Sequence, residues 1–192
     1  MLHTFGEQYI LNDIDDTALS RNSGKGAIMT IYHGSTVPVE KPQILASNRM
    51  LDFGVGFYTT SNLEQAIRWS EIVAAKQETD KCVITEYDFD FNTACNDLVV
   101  IKFDKPDKLW LDFVCLNRSG KEYPTHYDIA SGPVANDQVF TVVSLYEQGV
   151  LSEAAALMEM KVRKLYNQIL FHTAKSLNYC NYARHKQIQE YR

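Results

Sequence analysis

Two short glycine-containing segments carry the residue types in this sequence that are best suited to binding or chemistry. The first is the tetrapeptide Tyr-His-Gly-Ser at 32–35. The second runs from Asp52 to Tyr58, where Gly54 and Gly56 stand one residue apart before an aromatic pair. Glycine permits backbone angles and close approaches that a side chain would block. The second segment therefore predicts a tight turn that places backbone amides and an aromatic face beside whatever lies in it.

A strand, a turn and a helix are the elements that must position these segments. Residues 27–32 alternate and are rich in β-formers, which predicts a strand that ends in the first segment. Residues 57–60 also have strand character. The pattern at 62–77 predicts an amphipathic helix, with Asn62 as its N-cap and Gln65 as the reciprocal cap three residues later.

The rest of the chain predicts strands and helices in a mixed order. Strands are expected at 82–89, 98–103, 127–130 and 166–171, and helices from 106, at 139–147, at 152–162 and from Thr173 to about Lys186. Because no regular alternation of strand and helix appears, the order favours an α+β fold over a doubly wound sheet.

Residues 1–27 differ from the rest of the sequence. An aspartate cluster near Asp13 is followed by a linker-like stretch rich in small residues. We therefore expect an extension at 1–27 and one domain at 28–192. The extension is either a partner-contact arm or sequence upstream of an internal start at Met29, and the latter is favoured.

The bulk properties disfavour several classes of function. The chain of 192 residues has a net charge of −5, so no overall basic field would draw it to nucleic acid or an anionic membrane. Its 4 cysteines are widely spaced, which predicts free thiols in a reducing cytoplasm and no zinc site. No apolar run approaches the length of about 18 residues that a membrane span needs. These properties predict a soluble, cytoplasmic protein without a metal.

Each candidate residue also has an ordinary structural role open to it when it is taken alone. A histidine at a strand end, such as His33, is more often a hydrogen-bonded structural residue. Tyr58 and Trp69 are most simply core aromatic residues, and Gln168 a cross-strand or solvent-facing one. The clustered carboxylates are most simply the solvent-facing side of a strand: Glu86, Asp88 and Asp90.

Taken together, the two segments resemble the ADP-ribosyltransferase superfamily. The closer resemblance is to its His-Tyr-Glu branch, which includes the poly(ADP-ribose) polymerases and diphtheria-type toxins. In that branch the first strand ends in His-Gly, and a later Phe-Gly-x-Gly-x-Tyr segment opens the second motif. A second aromatic follows that tyrosine by eleven residues, a position held here by Trp69. The sequence is also similar, from about Met29 to Cys180, to an uncharacterised family of small bacterial proteins within the superfamily.

The resemblance implies NAD as the substrate and a role for each matched residue. The N–H and C=O groups of Gly34 would pair with the nicotinamide carboxamide, and His33 would donate to the adenine-side ribose. Tyr58 and Trp69 would sandwich the cationic nicotinamide ring, where stacking and cation–π attraction are each worth about 1 kcal/mol. The remaining implied NAD-binding residues are Ser35, Gly56, Phe57 and Thr59.

The sequence departs from the resemblance at the third motif. There the family places a glutamate on a late strand, where it binds the ribose hydroxyl next to the bond that breaks. The matching strand at 166–171 offers Gln168, which can hold a hydroxyl but carries no charge to act as a base. Asp137, Glu147 or Glu153 takes this role if the register differs.

The expected protein is one α+β domain of the ADP-ribosyltransferase type, with two small sheets packed as a split sandwich. Its expected function is NAD-dependent mono-ADP-ribosyl transfer to a protein or nucleic acid. The resemblance also implies a bacterial toxin or effector, with an antitoxin or immunity protein as a partner. Two alternatives stay open, which are NAD hydrolysis and a non-catalytic module that binds NAD, ADP-ribose or a partner.

Overall fold

The computed structural model describes residues 28–45, 51–121, 123–134, 137–161 and 166–188. The expected extension at 1–27 lies outside these residues. In chain order the described elements are β1 (Ile28–Ser35), β2 (Phe57–Thr59), α1 (Leu63–Lys76), β3 (Val83–Asp90), α2 (Phe91–Asp97), β4 (Val100–Lys102), α3 (Lys108–Arg118), β5 (Ile129–Pro133), α4 (Asp137–Glu147), α5 (Glu153–Lys161), β6 (Asn167–Phe171), α6 (Ala174–Leu177) and β7 (Asn181–Gln187).

The strands form two sheets, and the fold is α+β as expected. The smaller sheet has the order β1-β3-β7 and is antiparallel. The larger sheet has the order β2-β6-β5-β4, and only its β4–β5 pair is parallel. Strands that lie far apart in the chain are therefore neighbours in each sheet.

An aromatic core lies between the two sheets. Phe89 of the smaller sheet meets Phe171 of the larger one edge to face, with ring centroids 5.2 Å apart. Tyr87 and Phe57 form a second such pair at 5.7 Å. Burying each phenylalanine stabilises the fold by about 2–3 kcal/mol, so these contacts hold the sheets face to face.

The other face of the larger sheet packs against α3, α4 and α5. Trp110 of α3 is fully buried there, and its indole N–H donates to the carbonyl of Pro133 at 2.9 Å. Phe113 and Val114 are buried beside it, whereas Leu109 of the same helix is 50% exposed.

Helix α1 packs across the smaller sheet. Its inward face carries Ala66, Ser70 and Ala74, all buried, which confirms the expected amphipathic pattern. Asn62 is the N-cap, and its side chain accepts from the N–H of Gln65 at 2.9 Å. The expected reciprocal cap is wrong, because the N–H of Asn62 donates to the hydroxyl of Thr60 instead.

The C-terminal region differs from its prediction. The expected helix from Thr173 to about Lys186 ends at Leu177, and β7 follows as an edge strand of the smaller sheet. Thr173 caps α6 as a helix start would require, since its hydroxyl accepts from Ser176 N–H. Pairing with β3 then outweighs the helix propensity of the residues that follow, because tertiary context decides such short segments.

The carboxylates around β3 are not one solvent-facing row. Only Asp88 is exposed as expected. Glu86 is 4% exposed, and its carboxylate accepts from Arg184 Nε at 2.8 Å. Asp90 caps the unpredicted helix α2, and its hydrogen bond from the N–H of Thr93 lowers the pKa of its carboxyl group.

Candidate functional site

Among the residues that the structure describes, the two sheets are joined by one backbone bridge, and the candidate site lies next to it. Tyr32 of β1 and Thr60 exchange both main-chain hydrogen bonds, at 2.8 and 3.0 Å. Hydrogen bonding alternates along an antiparallel strand. The N–H and C=O of Gly34 therefore face the same edge of β1 as those of Tyr32. Among the described residues, pairing between β1 and β2 stops at this bridge, so Gly34 and Tyr58 face a gap between the diverging strands.

His33 links the two strands on the far side of the bridge. Its Nδ1 lies 2.8 Å from the carbonyl oxygen of Tyr58, and its ring packs on Phe57 with centroids 4.5 Å apart. Since a carbonyl only accepts, Nδ1 carries the proton. Desolvation by burial lowers the pKa of His33, so the ring is neutral near pH 7 and Nε2 is an acceptor. His33 can therefore accept a hydrogen bond at Nε2 but cannot donate one there.

Gly34 is buried, and packing requires a glycine at this position. A Cβ atom built on Gly34 would lie 2.1 Å from the carbonyl oxygen of Ala66 in α1. The helix therefore sits directly against β1 at this position. Gly34 has a structural role whether or not a ligand binds there.

The loop at 53–56, which we call the glycine loop, is held by three side-chain donors. Tyr127 donates to the carbonyl of Phe53 at 2.8 Å, and Tyr58 donates to that of Gly54 at 2.6 Å. His172 Nδ1 lies 2.6 Å from the carbonyl of Val55. Three successive carbonyl groups are thus fixed by side chains that come from three different parts of the chain.

The two glycines of this loop are needed for different reasons. Gly54 has a φ of +87°, which side chains rarely adopt. Gly56 approaches β6 so closely that a Cβ atom would lie 2.4 Å from both Leu170 Cδ1 and the Phe171 carbonyl oxygen. Together they allow the tight turn that the sequence predicted.

The two expected clamp aromatics have different surroundings. Tyr58 is part-buried against the core around Trp110, and its hydroxyl also accepts from the N–H of Phe53 at 3.2 Å. Burial raises the pKa of Tyr58 well above its usual value, so the phenol stays protonated. Trp69 is 45% exposed on α1, with the Lys76 ammonium 5.8 Å from its ring centroid. Trp69 therefore lies partly exposed on α1, beside Lys76, rather than filling the core.

Gln168 is a buried residue of β6 on the same face of the sheet as Tyr58. Tyr58 opposes Leu170, and Gln168 lies two residues from Leu170 along the strand. Such diagonal neighbours are roughly 7–8 Å apart. The side chain of Gln168 is 5% exposed, and its Nε2 has no hydrogen-bond partner. A buried amide N–H without an acceptor costs about 1–3 kcal/mol, so this group is an unsatisfied donor inside the fold.

Two of the three carboxylates that were alternatives to Gln168 have contacts in other parts of the structure. Glu153 pairs with Lys108 at 3.4 Å, and Glu147 lines a depression beside Cys115. Asp137 begins α4, and its side chain lies outside the described residues. Neither β2 nor β6 carries a carboxylate.

The other expected NAD-binding residues already have protein partners. The hydroxyl of Ser35 donates to the carbonyl of Val37 at 2.6 Å. That of Thr59 donates to the carbonyl of Ile169 at 3.1 Å. Phe57 is buried in the core between the sheets. Among these three residues only Ser35 has an exposed polar group at the gap.

The chain was compared with known proteins. It belongs to the family described as Protein of unknown function (DUF3990). The match covers residues 29–182. No curated protein and no solved structure was found to be similar to the chain. The DUF3990 match includes both glycine-containing segments and Gln168, so every residue of the candidate site lies inside the family's span.

Sequence reasoning missed the residues that fix the glycine loop of this DUF3990 protein. Tyr127 and His172 stack with ring centroids 4.4 Å apart, and each also holds a loop carbonyl. Arg118 pairs with Asp52 at 2.6 Å, next to the loop. In the sequence, each of these is only an aromatic or charged residue beside a strand or at a helix end. Such a position does not indicate that the side chain contacts a distant loop.

A depression of about 650 Å³ lies between α3 and α4, lined in part by Asp112, Cys115 and Arg118. Burial raises the pKa of the Cys115 thiol to about 12, so it is a poor nucleophile near pH 7. All 4 cysteines are free. Across the described ranges, no helix is long and apolar enough to cross a membrane, and no cluster of three or more acidic, histidine or cysteine side chains is placed to bind a metal ion.

Proposed function

We propose that the protein is an NAD-dependent mono-ADP-ribosyltransferase that modifies a macromolecule. The observation that carries the proposal is the gap beyond the Tyr32–Thr60 bridge. There the N–H and C=O of Gly34 lie on the edge of β1 that is not paired with β2, one donor beside one acceptor. A primary carboxamide such as that of nicotinamide presents the complementary pair of groups.

Three further features support NAD as the substrate. His33 is held beside the gap as a neutral acceptor for a hydroxyl. Trp69 offers an exposed aromatic face of the kind that attracts a flat, cationic ring. Gln168 has an unsatisfied amide N–H on the face of Tyr58, available to a ribose hydroxyl.

Gln168, the neutral residue at the third-motif position, favours transfer of a single ADP-ribose over growth of a polymer. Gln168 can orient a ribose hydroxyl, but it cannot offset the positive charge that develops as the nicotinamide–ribose bond breaks. The acceptor group or another acid must therefore supply the charge. The resemblance to the superfamily extends the proposal to a cytoplasmic bacterial toxin or effector with an antitoxin or immunity partner.

A binding module without turnover is the second candidate function. The observation that favours it is the absence of a carboxylate from β2 and β6, the two strands that carry Tyr58 and Gln168. In this case the same gap would hold NAD or ADP-ribose without breaking a bond. NAD hydrolysis, with water as the acceptor, stays an alternative outcome of the same experiment.

Incubation with NAD labelled in its adenosine half and a bacterial lysate tests the proposal. Label on a macromolecule supports transfer, free ADP-ribose supports hydrolysis, and binding without either product supports the module. His33→Ala should abolish the signal, whereas His185→Ala on the exposed strand β7 should not. Gln168→Glu should raise turnover. The NAD proposal fails if NAD neither binds nor reacts with the folded protein.

A further inference from the structure

In the glycine loop, three carbonyl groups accept hydrogen bonds from the protein, whereas two N–H groups have no described acceptor. The carbonyls of Phe53, Gly54 and Val55 each accept a side-chain hydrogen bond. The N–H of Phe53 donates to the Tyr58 hydroxyl, and that of Gly54 donates to the carbonyl of Leu51 at 3.1 Å. The N–H groups of Val55 and Gly56 donate to no described residue, and both residues are part-exposed.

We propose that the amides of Val55 and Gly56 bind an oxyanion, namely a phosphate or pyrophosphate group. Successive main-chain N–H groups that converge make a concave, electropositive site for such anions, and no described residue accepts from these two. The inference deepens the proposed function and rests on it for the identity of the ligand, because NAD carries a pyrophosphate. Gly56 directly precedes β2, so the oxyanion lies at the end of that strand, next to the gap at Gly34.

The three side-chain donors make this site preorganised. Each carbonyl that could turn outward and repel an anion is fixed by Tyr58, Tyr127 or His172. Burial raises the pKa of Tyr127 to about 12, so its phenol keeps the proton that it donates. The loop therefore needs no rearrangement when the anion binds, which saves the ordering cost that a mobile loop would incur.

The negative charge of Asp52, next to the glycine loop, is neutralised by Arg118. Asp52 precedes the loop, and its carboxylate accepts from the Arg118 guanidinium at 2.6 and 2.8 Å. The Arg118 side chain is 8% exposed and is also stacked over Phe140, with its central carbon 4.3 Å from the ring centroid. A fixed ion pair of this kind leaves little net field against an incoming phosphate.

Amide NMR of the full-length chain tests the inference directly. Titration with inorganic pyrophosphate, and separately with ADP-ribose, should shift the Val55 and Gly56 amide protons saturably while the amides of β7 stay in place. The proposal is overturned if these two amides move no more than those of β7. This measurement uses the unmodified protein, so it does not depend on a variant that folds.

Two variants at one position give the matched comparison. Val55→Pro removes one N–H, and Val55→Ala keeps it. We expect Val55→Pro to weaken pyrophosphate binding by about tenfold, the usual effect of losing one charge-assisted hydrogen bond, and Val55→Ala to change it by less than about twofold. Equal affinities for the two variants would refute the assignment.

Nicotinamide as a third probe separates this inference from the proposed function. If nicotinamide binds at the gap and pyrophosphate leaves the loop amides unmoved, the oxyanion site is wrong and the NAD proposal stands. If pyrophosphate binds and neither nicotinamide nor NAD does, the oxyanion site stands and the NAD proposal is wrong.

Discussion

His33 Nδ1 lies 2.8 Å from the carbonyl oxygen of Tyr58, so a side chain of the smaller sheet occupies an acceptor at which β1 would otherwise pair with β2. This hydrogen bond joins the two sheets, but it prevents β1 and β2 from forming further main-chain hydrogen bonds with each other. It therefore leaves the main chain of the buried Gly34 unpaired with β2. A histidine suits this position because one ring nitrogen can donate to the Tyr58 carbonyl while the other remains an acceptor.

The first prediction concerns the pH dependence of stability. Burial lowers the pKa of His33 below 6.5 in the folded protein, so the unfolded chain takes up this proton first. The contribution of His33 is then fully present above about pH 6.5, the pKa of the unfolded chain, and is lost as the pH falls from there through the lower pKa of the folded protein. Thermal melts between pH 7.5 and 5 should show a steeper decline for the wild type than for His33→Gln. Parallel curves for the two proteins would show that His33 is not desolvated.

The second prediction concerns the packing of α1 on Gly34. Gly34→Ala places a Cβ atom against the backbone of Ala66, so the helix must shift. We expect the free energy of unfolding to fall by about 3 kcal/mol or more, as for severe overpacking. Gly149→Ala is the control, because Gly149 has a φ of +71° but open space around it. Its expected cost is only about 1–2 kcal/mol. Urea denaturation measures both, and equal costs would contradict the close contact.

The third prediction separates function from stability at Gln168. Gln168→Met removes a buried amide whose N–H is unsatisfied. Stability should stay unchanged or rise by about 1 kcal/mol, while the affinity for NAD, followed by calorimetry, falls. Gln148→Met at the exposed end of α4 should alter neither property. If Gln168→Met loses stability but binds NAD normally, Gln168 has only a structural role in the core.

The fourth prediction uses the two tryptophans. Trp69 is 45% exposed, whereas Trp110 is fully buried behind the larger sheet. Nicotinamide stacked on Trp69 should quench the wild-type fluorescence, since an aromatic ligand in contact with the ring perturbs its emission. Trp69→Phe leaves only Trp110 and should abolish the quenching without abolishing binding. Quenching that persists in Trp69→Phe would exclude Trp69 as a face of the clamp.

Local chemistry explains what could be predicted from the sequence. The amphipathic spacing of α1 and the Asn62 cap act within a few residues of each other, so both were visible in the sequence. The same holds for the glycines of the loop, where a turn needs residues without side chains. The late strand that carries Gln168 was predicted for the same reason, since its β-rich run is short and continuous.

The features that the sequence could not predict depend on partners far away in the chain. The strand β7 forms because β3 offers a free edge about a hundred residues earlier, and its own residues favour a helix. The burial of Glu86 depends on Arg184, and the fixed carbonyl of Val55 depends on His172. No local pattern encodes these pairs, which is why the residues that shape the site were the ones missed.

The strand β7 also determines where the folding unit ends. The DUF3990 match stops at Tyr182, but pairing with β3 continues to Gln187. A fragment cut at 182 would leave most of the β3 edge unpaired and would deprive the buried Glu86 of its arginine partner. An unpaired edge invites self-association. A fragment that keeps this pairing intact must therefore run several residues past the limit that sequence similarity defines.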